Sequence, residues 1–188
     1  MENRESRVST SFEVRAEDDA VTVEGYAAVF DEDTVIGGQW MERIAPGAFT
    51  NAIGRDDVTF LINHEGLPLA RTRSGTLELF EDQHGLKMRA SLDMRDPDVR
   101  SIVPKMQRGD LDKMSFAFIP TRPKWKDVDG KDLPRRTIEE AELYDVSIVT
   151  TPAYSGTEIG LRSLEQFRNS QRKSQAPRRL RMKSRLQG

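Results

Sequence analysis

Hydrophobic and polar residues alternate with a period of two over much of the first 150 positions, so strands are the predicted default. Phe12 to Ala16 and Val21 to Phe30 alternate in this way, with Asp18-Asp19 as the turn between them. A polar loop, Asp31 to Gln39, contains Gly37-Gly38. Pro46 to Ile53 reads as a short helix that starts on a proline and stops before Gly54. Val58 to Ile62 is a further strand, and Thr76 to Glu81 with Leu86 to Leu92 forms a hairpin-like pair. Asp96-Pro97-Asp98 opens a helix with a capping carboxylate and a proline at its first position. Val99, Ile102, Val103 and Met106 then recur on one apolar stripe, which Gly109 ends. Pro104 lies inside this stripe and is predicted to kink or shorten the helix.

Leu111 to Pro120 and Arg136 to Thr151 are two longer strands, separated by a polar excursion from Arg122 to Pro134 that holds Trp125. Residues 1–10 are charged and aperiodic and read as a disordered N-terminus. Residues 11–164 are predicted to be the folded domain. Residues 165–188, rich in Ser, Gln and Arg, read as a disordered or weakly helical tail. With about seven strands and two or three short helices, the predicted class is α+β, mainly β: an antiparallel β-barrel or a strongly curved sheet decorated by helices.

Composition narrows the functions open to such a fold. The chain has 188 residues, 36% hydrophobic and 32% charged, enough for one domain with extensions. No window approaches the roughly 20 apolar residues of a membrane span. Met1 to Thr10 lacks the apolar core of a secretory signal. With no cysteine, disulfides, thiolate nucleophiles and thiolate metal sites are all excluded. Two distant histidines argue against a His-based zinc site, and neither a metal nor a cofactor is expected. Charge is unevenly spread: residues 165–188 hold eight Lys/Arg against one acid, and the rest of the chain holds 21 bases against 30 acids. An acidic body with a basic appendage suggests two jobs, or an appendage that folds back on the body. The acidic body argues against dedicated nucleic-acid binding.

Candidate chemistry converges on three places. His64 closes the apolar run Thr59 to Ile62, at a strand end where a rigid scaffold hands residues to a cleft. His84 lies in a polar turn, so acid–base chemistry by histidine points to His64. In Lys113-Met114-Ser115-Phe116-Ala117-Phe118, alternation puts Ser115 among bulky apolar side chains, where its hydroxyl needs a partner. A histidine on a neighbouring strand would satisfy it and activate the oxygen as a nucleophile. Asp145 interrupts the strand-like Leu143 to Val149 and is a candidate to orient an imidazole; Glu140 and Glu142 are nearby rivals for that role.

The ordered set His64, Ser115, Asp145 lies within five stretches that resemble the prohead proteases of tailed bacteriophages. These are capsid-maturation serine proteases with a fold similar to herpesvirus assemblin. The stretches are Gly25 to Phe30, Glu42 to Phe49, Phe60 to His64, Gly109 to Phe118 and Leu143 to Tyr154. The resemblance implies Ser115 as nucleophile, His64 as general base and Asp145 as the acidic member. The sequence does not name the oxyanion donors; the turn Ser155-Gly156 after Pro152 is a place to seek them. The resemblance also implies as substrates the scaffolding region of the major capsid protein, and the protease itself, inside the assembling procapsid in the host cytoplasm. A homodimer and self-trimming of the basic tail follow from the same analogy. The alternative is a catalytically inactive phage scaffold or interaction module of the same fold.

Overall fold

The computed structural model describes residues 4–9, 11–17, 20–126, 132–150 and 161–171. Strands β1 (Glu5–Ser9), β2 (Ser11–Glu17), β3 (Ala20–Val29), β4 (Thr34–Ile36) and β5 (Trp40–Ile44) precede helix α1 (Thr50–Arg55). Then follow β6 (Thr59–Ile62), β7 (Glu65–Arg71), β8 (Leu77–Glu81), β9 (Gly85–Asp93) and helix α2 (Pro97–Gln107). Two long strands, β10 (Lys113–Lys126) and β11 (Arg135–Val149), lead to a last helix, α3, over 161–171. No described helix is long and apolar enough to cross a membrane.

The strands form two sheets. One is antiparallel, in the order β2-β3-β9-β8; the other has seven strands, in the order β1-β10-β11-β5-β4, with β6 and β7 branching from β11. The chain is mainly β as predicted, but among the described residues the sheets do not close into a barrel. Nor is the larger sheet purely antiparallel. The 15-residue β11 pairs with β10 on one side; on the other it pairs in parallel with β5 through Arg135–Ile138 and with β6 through Asp145–Ile148. Two short strands sharing one long neighbour leave a notch between them. The α1 region fills it: the Ala141 N–H donates to the Ala48 carbonyl at 3.0 Å, and the Leu143 N–H to Asp56 Oδ2 at 2.8 Å.

The core lies between the sheets. Val21, Val23, Leu86, Met88 and Leu92 from the smaller sheet meet Met114, Phe116, Phe118, Val146 and Ile148 from the larger. Burial of these side chains, at about 25 cal/mol per Å² of apolar surface, is the main stabilising term. Helix α2 adds Val99, Ile102, Val103 and Met106, and the Asp96 carboxylate accepts the Asp98 N–H at 2.8 Å. The helix runs through Pro104 to Gln107.

Several segments differ from the expectation drawn from sequence, among them Thr34–Ile36, which lies in the predicted polar loop but becomes β4 by pairing antiparallel with β5. Helix α1 begins at Thr50 rather than Pro46 and includes Gly54, because residues 46–49 form a turn in which Gly47 takes φ 84°. Glu81 of β8 holds its start: its carboxylate accepts the N–H of the capping residue Phe49 at 2.9 Å and the Thr50 hydroxyl at 2.6 Å. Strand β10 extends to Lys126, so Trp125 is a strand residue; it packs edge-on to Trp40 at 5.9 Å and stacks on Phe167 of α3 at 6.2 Å. Residues 5–9, read as disordered, form β1, with Glu5, Ser6 and Arg7 buried. The reason is a cluster of charges invisible to local pattern. Arg136 reaches Glu42 at 2.6 Å and Glu5 at 2.9 Å, and Arg7 binds Glu5 at 2.6 Å and also Glu42. Of the basic tail, α3 covers residues through 171, and 172–188 lie outside the described residues, as does the Asp18-Asp19 turn.

Candidate active site

The site is assembled on one face of the larger sheet, around β10, β11 and the turn between β6 and β7. The two-residue period of β10 sends Met114, Phe116 and Phe118 into the core and turns Ser115 and Ala117 to the opposite face. The antiparallel register sets Ser147 of β11 opposite Ser115, and Asp145 opposite Ala117. Ser115 and Asp145 therefore share a face, offset diagonally across neighbouring strands. Ser115 is 1% exposed and Asp145 6%.

His64 is delivered by backbone geometry rather than by a strand. Asn63 and His64 join β6 to β7 as a two-residue hairpin turn with φ 52° and 62°, in the left-handed region that primed turns require. Asn accepts this conformation more readily than most residues; a histidine there is unusual and must be held by its surroundings. Asn63 supplies much of that hold. Its N–H donates to the Ile148 carbonyl at 2.9 Å, and its Oδ1 accepts the Thr150 N–H at 3.0 Å. The turn is thus fastened to the end of β11, two residues beyond Ser147.

The imidazole of His64 bridges the other two groups. Nδ1 lies 2.6 Å from Asp145 Oδ1, and Nε2 lies 2.7 Å from Ser115 Oγ. An ionised carboxylate only accepts, so in the neutral ring the proton sits on Nδ1. Nε2 is then left with its lone pair toward the serine hydroxyl. Ser147 Oγ donates to the same Asp145 Oδ1 at 2.7 Å and fixes the carboxylate from behind.

All three predicted residues meet, and the rivals do not. Glu140 accepts from Asn51 at 2.6 Å, and Glu142 accepts the Tyr144 hydroxyl at 2.9 Å while facing Arg55 at 3.8 Å. His84 is exposed and packs edge-on against Tyr26 at 4.5 Å. Ser155 and Gly156 lie outside the described residues. Among the described residues no three His, Asp or Glu side chains are grouped to hold a metal ion. Two positioning residues escaped the sequence reading, Ser147 and Asn63. Each had a local signal: Ser147 stands one strand period from Asp145, and Asn63 precedes the histidine in a turn too short for ordinary residues.

Asn63→Gly keeps the backbone conformation accessible but removes the side-chain tie to Thr150. We expect kcat to fall about tenfold with KM and melting temperature nearly unchanged, measured by steady-state kinetics beside thermal denaturation.

A serine hydroxyl facing an imidazole that is itself backed by a carboxylate is a hydrolase arrangement. The sequence matches the caudovirus prohead serine protease family over residues 10–171 of 188. The chain belongs to that family. Searches of curated proteins and of solved structures return no match. Membership makes this protein a serine endopeptidase, a phage hydrolase of capsid maturation.

Proposed function

We propose that this prohead protease cleaves peptide bonds through Ser115 as nucleophile, His64 as general base and Asp145 as the orienting acid. The supporting observation is the single imidazole within 2.7 Å of the hydroxyl and 2.6 Å of the carboxylate. As Ser115 Oγ attacks the scissile carbonyl carbon, its proton passes to His64 Nε2. Asp145 stabilises the imidazolium that results, and the ring then returns the proton to the leaving amine. Water repeats the cycle to release the acyl group.

Capsid-maturation chemistry supports the choice of substrate: the scaffolding region of the major capsid protein inside the procapsid, and the protease itself. Confinement in a closed shell raises local concentration and favours encounters between copies, so a homodimer is part of this reading. The basic segment after residue 164 is proposed as a tether that is trimmed when maturation begins.

The test compares the full chain with its Ser115→Ala form by fluorophosphonate labelling and by intact mass. Labelling and stepwise trimming that disappear together in Ser115→Ala support the reading. A full chain that neither labels nor trims over days identifies an inactive scaffold instead.

Asp145→Asn is the sharper probe of the third residue. The amide presents an N–H toward Nδ1 and favours the wrong tautomer, leaving Nε2 protonated and unable to accept from Ser115. We expect cleavage to slow by about 10⁴-fold near neutral pH with the fold retained. Glu140→Gln and Glu142→Gln are expected to change it less than about threefold, which kinetics on one peptide substrate will establish.

A further inference from the structure

Around Ser115, the strand that carries it is paired on both edges. β10 pairs with β11 on one side and with β1 on the other, where Val8 stands opposite Ser115, Arg7 opposite Phe116, Ser6 opposite Ala117 and Glu5 opposite Phe118. An endopeptidase acts on extended backbone, and extended backbone is held well by addition to a sheet edge. Main-chain hydrogen bonds then supply affinity, and alternate side chains supply register. The edge beside the nucleophile is the natural place for this, and the chain's own Glu5–Ser9 fills it.

β1 is suited to exchange. It is a five-residue edge strand whose one strand partner, among the described residues, is β10. An incoming antiparallel strand would remake its backbone hydrogen bonds one for one. The charges are what an intruder must also match. Glu5 and Arg7 turn inward to Arg136 and Glu42, which are 0% and 3% exposed. With β1 displaced, Arg136 and Glu42 still hold each other at 2.6 Å, but each loses its second partner from β1. A buried guanidinium and a buried carboxylate, spaced to meet alternate residues of a strand, then form a two-point recognition site.

Taking Ser115 as the nucleophile, we propose that the β10 edge is the peptide-binding edge and that Glu5–Ser9 occupies it as an internal stand-in for substrate. The peptide that displaces β1 carries the same pattern: an acid, a base two residues later, and then an apolar residue opposite Ser115. β1 thereby holds the enzyme closed until a matching segment is present at high concentration, as inside an assembled shell.

The absence of native cysteine allows a reversible test on the full chain. Ser6→Cys with Ala117→Cys places two thiols on a directly opposed cross-strand pair, within disulfide reach. Oxidation is expected to cut cleavage of a fluorogenic peptide carrying Glu-Ser-Arg-Val-Ser by at least about tenfold, and reductant is expected to restore it. Fluorophosphonate, a small probe that needs no strand edge, is expected to label Ser115 equally in both states. On the unmodified chain, the same peptide is expected to be cleaved about 10- to 100-fold faster than one carrying Ala-Ser-Ala-Val-Ser. Equal peptide rates in the oxidised and reduced states, or no preference between the two peptides, overturns the proposal. If the thiols do not oxidise, the peptide preference alone decides. Absence of labelling in both states removes the Ser115 assignment itself, and this proposal with it.

Discussion

Replacing Ser115 with alanine is expected to lower peptide cleavage by about 10⁴-fold or more while leaving the fold in place. The expected activity loss is large because no other group near His64 Nε2 offers a nucleophile: the described partners of the ring are Ser115 and Asp145 alone. The effect on stability is small for a separate reason. Alanine keeps the strand geometry of β10, removes one buried hydroxyl, and leaves Nε2 on a half-buried ring whose side chain retains 22% exposure, so water can take the vacated position. We expect a change of about 1 kcal/mol or less, read by denaturant titration. Residual cleavage within tenfold of the parent chain would contradict the assignment of the nucleophile.

The second large effect concerns stability. Glu5, Arg7, Glu42 and Arg136 form a closed cycle of two acids and two bases, each buried, joining β1 to β5 and β11. Removing one member strands a charge of the opposite sign in the interior, at a cost of about 3–5 kcal/mol. Glu42→Gln is therefore expected to lower the melting temperature by about 10 °C in a chain of this size. Removing Glu42 and Arg7 together leaves the Glu5–Arg136 pair intact, so the double variant is expected to lose far less than the sum of the two single variants. A double-mutant cycle by chemical denaturation measures this, and strict additivity would show that the cycle is not a unit.

The cluster also sets a pH dependence. Burial disfavours the charged form of Glu42, but Arg7 and Arg136 outweigh it and hold the carboxyl below its ordinary value. A carboxyl lowered on folding stabilises the native state above its unfolded value, near 4.3, and loses that contribution as pH falls through the folded value. Between the two values the unfolded chain binds a proton that the folded chain refuses. Melting temperature is therefore expected to hold between about pH 5 and 7 and to fall below about pH 4, more steeply than in the variant lacking both Glu42 and Arg7.

Much of this protein is local in origin. The alternation from Val21 to Phe30 and from Met114 to Phe118 became core strands, because period two with apolar residues on one face leaves few other ways to bury that face. Asp96, the proline after it and Gly109 bounded α2 close to where they stand in the sequence. Two of the strands that local pattern does not announce owe their conformation to distant partners. β7 carries Gly66 and Pro68 and is exposed through residues 65–68, so its strand conformation comes from pairing with β6 rather than from its own composition. β1 is charged at alternate positions and became a strand because two of those charges have buried partners more than thirty residues away.

The site divides along the same line. By itself the sequence determined which residue types were available: one histidine at the end of an apolar run, one serine in an apolar strand and one aspartate in another, with no cysteine to compete. Those facts needed only side-chain chemistry and a two-residue period. Their meeting depended on the tertiary structure. The register of β10 on β11, the parallel docking of β6 on β11, and a left-handed turn tied down by Asn63 bring groups 51 and 81 positions apart within a hydrogen bond of one ring. Register is settled by packing both sheets against a shared core, and no local pattern contains that information.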